Sequence, residues 1–175
     1  VPFALALSKF FQVAERTILK HHQEVKLFTA KKNTDDPNEE LIPLEVQEEK
    51  GKKLPLWIEK DYNQADEKGK LVYYPKEFTE ENHQGKTKKQ ILESNNLTFS
   101  GWNIILREKN VNIPVEREGE TINKRKQIET NNRPNYHLKL LQTDERYQGE
   151  SGMTPEDQIT LFLTYLEQTN QVIDD

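Results

Sequence analysis

Four histidines, several adjacent acid pairs and one basic cluster are the residues of this chain whose chemistry could be put to use. His21, His22, His83 and His137 do not have the spacing of a metal set. His21 and His22 are adjacent, so on a helix their rings diverge, and no His-Glu-x-x-His arrangement is present. They are expected on a solvated surface, with no metal and no cofactor. Asp35-Asp36, Glu80-Glu81 and Asp174-Asp175 are paired only in sequence, whereas acid–base catalysis needs two carboxylates held across a cleft with separated pKa values. Glu59-Lys60-Asp61 with Glu108-Lys109 loosely matches a nuclease arrangement of acids and lysine on a sheet, a coincidence that so many Glu and Lys residues make hard to avoid.

The basic cluster Lys124-Arg125-Lys126 has Arg117 and Arg133 nearby, and Trp102 and Tyr136 could stack on bases. Glu116, Glu118, Glu120 and Glu129 interleave with it, so a solvated loop of mixed charge is the plainer reading. A net charge of -5 argues in the same direction, because domains that grip phosphate backbones usually carry a positive face. The glycines at 101, 119, 149 and 152 are too scattered for a phosphate loop. The sequon Asn96-Leu97-Thr98 has meaning only in a secretory pathway, for which nothing else in the sequence argues.

These residues are carried by 175 positions, a length that suits a single domain with a thin core, since 33% of residues are hydrophobic and 31% charged. The absence of cysteine removes disulfide scaffolds, thiolate zinc sites and cysteine nucleophiles together. No apolar run reaches the roughly 20 residues that span a bilayer. Ala4-Leu5-Ala6 could be the remnant of a signal-peptidase site, but the apolar pattern runs on unbroken into Phe10, Phe11 and Val13, as in an ordinary helix.

Apolar positions from Phe3 to about Phe28 return at three- and four-residue spacing and predict a long helix. Residues 29–53 are polar and predict a mobile loop with one short strand. Leu54–Ile58 and Leu71–Tyr74 predict a β-hairpin, and Thr98–Leu106, with Phe99, Trp102, Ile104 and Leu106 in alternation, predicts the strongest strand. A short helix is expected over Lys88–Ser94 and another from Pro134. The final helix is the most strongly specified element. Thr154 caps it, Pro155 fills its first position, Glu156 and Asp157 sit at the positive end of its dipole, and Ile159, Phe162, Leu163, Leu166, Val172 and Ile173 form its stripe. With no C-cap recognised, this helix is expected to run to Asp175, as if more polypeptide followed.

The run from Asn135 to Asp175, particularly Tyr147–Asp157 and Leu166–Asp175, with the shorter Tyr73-Tyr74-Pro75 and Gly101-Trp102, resembles a group of uncharacterised bacterial proteins. In that group a comparable front half precedes a Gly- and Trp-rich portion similar to the C-type-lectin or formylglycine-generating-enzyme fold of variable display proteins. The resemblance implies that such a portion would begin after Asp175, and it carries no catalytic residue to transfer.

The expected fold is α+β: a small antiparallel sheet, about residues 54–110, packed against long N-terminal and C-terminal helices. Trp57, Trp102, Tyr73, Tyr74 and Phe99 would be core residues of the sheet. The expected function is a non-enzymatic module that supports or presents a protein partner or a following domain, with Phe3, Leu5, Phe162 and Tyr165 at the helix ends as contact positions. Nucleic-acid binding through Arg117, Lys124, Arg125, Lys126 and Arg133 is the alternative.

Overall fold

The computed structural model describes residues 1–30, 38–58, 65–79, 83–94, 101–107, 114–122 and 124–173. Asp35-Asp36, Glu59 to Asp61, Glu80-Glu81, the sequon, Phe99, Glu108-Lys109 and the last two aspartates lie outside them. The chain is α+β. Helices α1 (Leu7–Gln23), α2 (Lys88–Glu93), α3 (Pro134–Thr143) and α4 (Pro155–Thr169) alternate with three antiparallel ribbons. The ribbons pair β1 (Gln47–Glu49) with β2 (Lys52–Leu54), β3 (Val72–Tyr73) with β4 (Lys86–Thr87), and β5 (Thr121–Ile122) with β6 (Arg125–Lys126). None of the helices among the described residues is long and apolar enough to cross a membrane.

Helix α1 stops short of the expected Phe28. Val25 turns left-handed at φ 55°, and the Lys26 N–H then reaches back to the His21 carbonyl at 2.8 Å, closing the helix end. Beyond it, Phe28 lies extended between two neighbours, bridging Pro43 on one side and Gln171 on the other. The last helix is likewise shorter than its stripe suggests. Asn170 adopts φ 60° as a left-handed cap, its N–H bonds the Leu166 carbonyl, and Val172 leaves the helix to donate to the Phe28 carbonyl at 3.0 Å. The helix is therefore capped at Asn170, which corrects the expectation of an uncapped helix running to Asp175.

Helices α1 and α4 pack through Ile18 and Leu166, and Leu27, Val46 and Val172 complete that cluster with Leu19, Leu44 and Phe162 at its edge. A second, smaller cluster joins Phe3, Tyr73 and Ile91. Gly85 is what lets β4 lie so close to β3, because a β-carbon there would fall 2.2 Å from Val72 Cγ1 and 2.5 Å from the Tyr73 carbonyl oxygen.

The ribbons correct the expected pairing. Leu54 pairs with Gln47 inside the segment read as loop, and Tyr73 pairs with Lys86, so 54–58 and 71–74 do not form a hairpin with each other. Residues 102–107 belong to no named strand. The alternation is nevertheless real. Trp102, Ile104 and Leu106 are exposed at 54%, 58% and 98%, so the apolar face of this segment points outward instead of into a core. Trp57, at 81%, and Tyr74 are exposed too, and of the described aromatics expected in the sheet core only Tyr73 is buried there.

Candidate functional site

Strand β3 with its flanking residues, helix α3 and the loop leading into α4 line a cleft of about 900 Å³. Its walls are mainly apolar: Leu71, Val72, Tyr73, Tyr74 and Pro75 from the ribbon, Phe78 beyond it, Leu138 and Leu141 from α3, and Met153 and Pro155 from the α4 approach. Local sequence explains each wall. Pro134 starts α3 with its fixed φ, and spacing of three residues sets Leu138 and Leu141 on one face. Thr154 and Asp157 form a reciprocal capping box that fixes the loop side, each side chain bonding the other's backbone N–H, at 3.1 and 2.9 Å. Tyr74 sits at φ 50°, a conformation that L residues with large side chains seldom hold and that tends to mark binding sites.

The polar lining is sparse. His83 Nδ1 accepts from the Thr79 N–H at 3.0 Å, and its ring lies 5.3 Å from Phe78. His137 presents a buried Nδ1 with no hydrogen-bond partner among the described residues, beneath the edge of Tyr136. Lys70 and Lys76 are exposed on the lining, while Glu150 is held by Arg125 at 2.6 Å.

Behind the α4 wall lies a second group of polar residues, centred on two buried carboxylates. Glu156 and Asp157 are 0% and 1% exposed, so the carboxylates expected merely to complement the helix dipole are core residues. The Tyr73 hydroxyl and Lys88 Nζ both donate to Glu156 Oε1, at 2.8 and 2.7 Å, and Lys88 also reaches the Leu5 carbonyl at 2.6 Å. Asn103 donates to Asp157 Oδ1 at 3.3 Å. Burial, then the charges of Asp157 and Glu156, push the Tyr74 hydroxyl above its usual range. This network anchors the cleft wall to the N-terminal segment.

The basic residues from 117 to 133 fall on the β5–β6 ribbon and its flanks, away from the cleft lining except through Glu150. Arg125 is committed to Glu150 and to the Tyr147 ring, and Lys126 pairs with Glu129. Lys124 is at the turn, at φ 70°, and Arg117 at φ 74°. The Arg117 and Gly119 backbone N–H groups also point at the Glu129 carboxylate, and with Lys126 they hold its pKa down at about 2. Asp144 is likewise lowered to about 2 by Arg146. Since both folded pKa values lie below their ordinary ones, the stability they contribute is full above about pH 4.5 and disappears as pH falls toward 2. Replacing Glu129 by Gln is expected to lower the urea midpoint at pH 6, with the difference closing by about pH 2. A difference independent of pH would show that the carboxylate charge is not what matters.

Of the expected contact positions, Phe3 is 1% exposed and packs edge-on against Tyr73 at 5.4 Å, so it is a core residue and not a free helix end. Leu5 is exposed, Phe162 packs on the α1–α4 cluster and Tyr165 is half-buried. The histidines are not uniformly solvated either: His21 is 5% exposed and its Nδ1 sits 2.9 Å from the Thr17 carbonyl, a geometry that requires the proton on Nδ1. Sequence reasoning missed the cleft because its walls come from 65–78, 134–142 and 150–155. The Tyr-Tyr-Pro and Gly-Met-Thr-Pro motifs were visible signals, without any sign that they meet. No protein-family model, curated protein or solved structure matches this chain.

Proposed function

We propose that this chain is a non-catalytic binding module whose ligand enters the cleft between β3 and α3, with α1 and α4 as its support. The observation that carries this reading is the cleft itself, a mainly apolar concavity of about 900 Å³ with a few polar groups on its wall, the composition that ligand sites favour. Two further features support binding over catalysis. The Thr154 hydroxyl is occupied by its helix cap, and among the described residues no hydrogen bond joins a lining hydroxyl to a lining histidine. In this reading the module supports or presents a larger display protein, as its resemblance implies. Nucleic-acid binding is less well supported, because Arg125 and Lys126 would have to give up their carboxylates to reach phosphate.

The neutral dye N-phenyl-1-naphthylamine, bright only in apolar surroundings, tests the proposal. It is expected to bind with one saturable site, and Leu138→Trp, which projects an indole from α3 into the cleft, is expected to weaken binding by about tenfold or more, equivalent to about 1.4 kcal/mol, at unchanged thermal midpoint. Dye binding unaffected by that substitution would place the site elsewhere and sink the reading.

A further inference from the structure

We infer that the ligand of this cleft is an apolar carboxylic acid, an inference that rests on the binding reading above. The apolar walls select the body of such a molecule, and the polar lining selects its head. Lys70 and Lys76 both line the cleft, and among the described residues neither ammonium meets a carboxylate. Among the described residues the one carboxylate on the lining, Glu150, is paired with Arg125 at 2.6 Å. Among the described residues the exposed edge of the cleft therefore carries two ammonium groups that no carboxylate pairs, while the buried Glu156 behind its wall is matched by Lys88 at 2.7 Å.

His137 adds the second, independent observation. Its ring lines the cleft and its Nδ1, enclosed in this conformation, has no hydrogen-bond partner among the described residues, so a turn of the ring that brings Nδ1 to the cleft would let a ligand supply that bond. A carboxylic acid can do so in either protonation state: the carboxylate accepts from a protonated Nδ1, and the acid hydroxyl donates to a bare one. A neutral hydrocarbon can satisfy neither His137 nor the lysines, and an amine would meet repulsion from both ammonium groups.

Competition against bound N-phenyl-1-naphthylamine, using decanoate and its uncharged counterpart decanol, tests this on the whole chain. Decanoate is expected to displace the dye at a concentration about tenfold or more below that needed by decanol. The double substitution Lys70→Glu with Lys76→Glu is expected to abolish that preference, decanoate and decanol then displacing the dye from the variant at similar concentrations. Both lysines are exposed, so the variant is expected to fold normally, which its circular dichroism checks. Equal displacement by decanoate and decanol would overturn the acid assignment and leave the binding reading standing. Failure of the dye itself to bind would overturn both.

Discussion

Replacing Glu156 by Ala is expected to cost about 3–5 kcal/mol of folding stability, most of it from the lysine it strands and not from the contacts the carboxylate itself makes. Glu156 is 0% exposed and the Lys88 side chain 15% exposed, so removing the glutamate leaves a largely buried ammonium with the Leu5 carbonyl and the Phe3 ring as its neighbours and little access to water. Against a typical domain stability of about 5–15 kcal/mol, that loss takes a large share. The pair is not intrinsically stabilising, because enclosing two charges costs about what their attraction returns, and Glu156 Oε2 has no hydrogen-bond partner among the described residues. Glu156→Met combined with Lys88→Met is therefore expected to recover most of the loss. Urea denaturation of the two single variants and the double variant decides the matter. A double variant as unstable as the sum of the singles would mean that the two residues act independently and that the ion pair is not the source of the effect.

That same network shows what the sequence could and could not reveal. Thr154, Pro155 and Asp157 announce a helix start because capping is local: every partner lies within three residues. The burial of Glu156 is not local. Its partners Tyr73 and Lys88 are 83 and 68 residues away, and a first-turn Glu looks the same in sequence whether it faces water or a lysine. The end of α4 was legible in principle, since Asn170 is a residue type that accepts φ 60°, but the apolar Val172 and Ile173 beyond it matched the helical spacing and masked the stop. They are apolar for a different reason, namely that Val172 fills the cluster under α1 from an extended segment. At residues 102–106 the period of two was visible and the face was not: alternation fixes which residues share a side, and only the partners available decide which side is buried. The cleft was the least legible of all. Its residues are ordinary apolar ones, and their meaning comes from the meeting of three distant segments.

Phe3→Ala is expected to cost about 3–5 kcal/mol, a large effect for a residue so near the start of a chain, where truncation is usually tolerated. The reason is that Phe3 does three things at once. It is 1% exposed within the cluster of Tyr73 and Ile91, so its loss opens a cavity there. It meets the Tyr73 ring edge-on at 5.4 Å and 82°, and it lies 5.2 Å beneath the Lys88 ammonium. It also holds the first residues against 101–103, where the Ala4 N–H bonds the Gly101 carbonyl and the Asn103 N–H bonds the Val1 carbonyl, each at 2.9 Å. Losing the side chain thus loosens a pairing that positions Asn103 beside Asp157, and with it the wall of the cleft. Because Phe3 and Glu156 both act on Lys88, their substitutions are expected to be non-additive, with a coupling of about 0.5–2 kcal/mol in a double-mutant cycle. Hydrogen exchange gives the spatial half of the test: faster exchange in Phe3→Ala should spread to the Ala4 and Asn103 amides and spare Val172, which belongs to the other cluster. Exchange that rises equally in both clusters would mean that the molecule opens as one unit, and that Phe3 does not hold the cleft wall in particular.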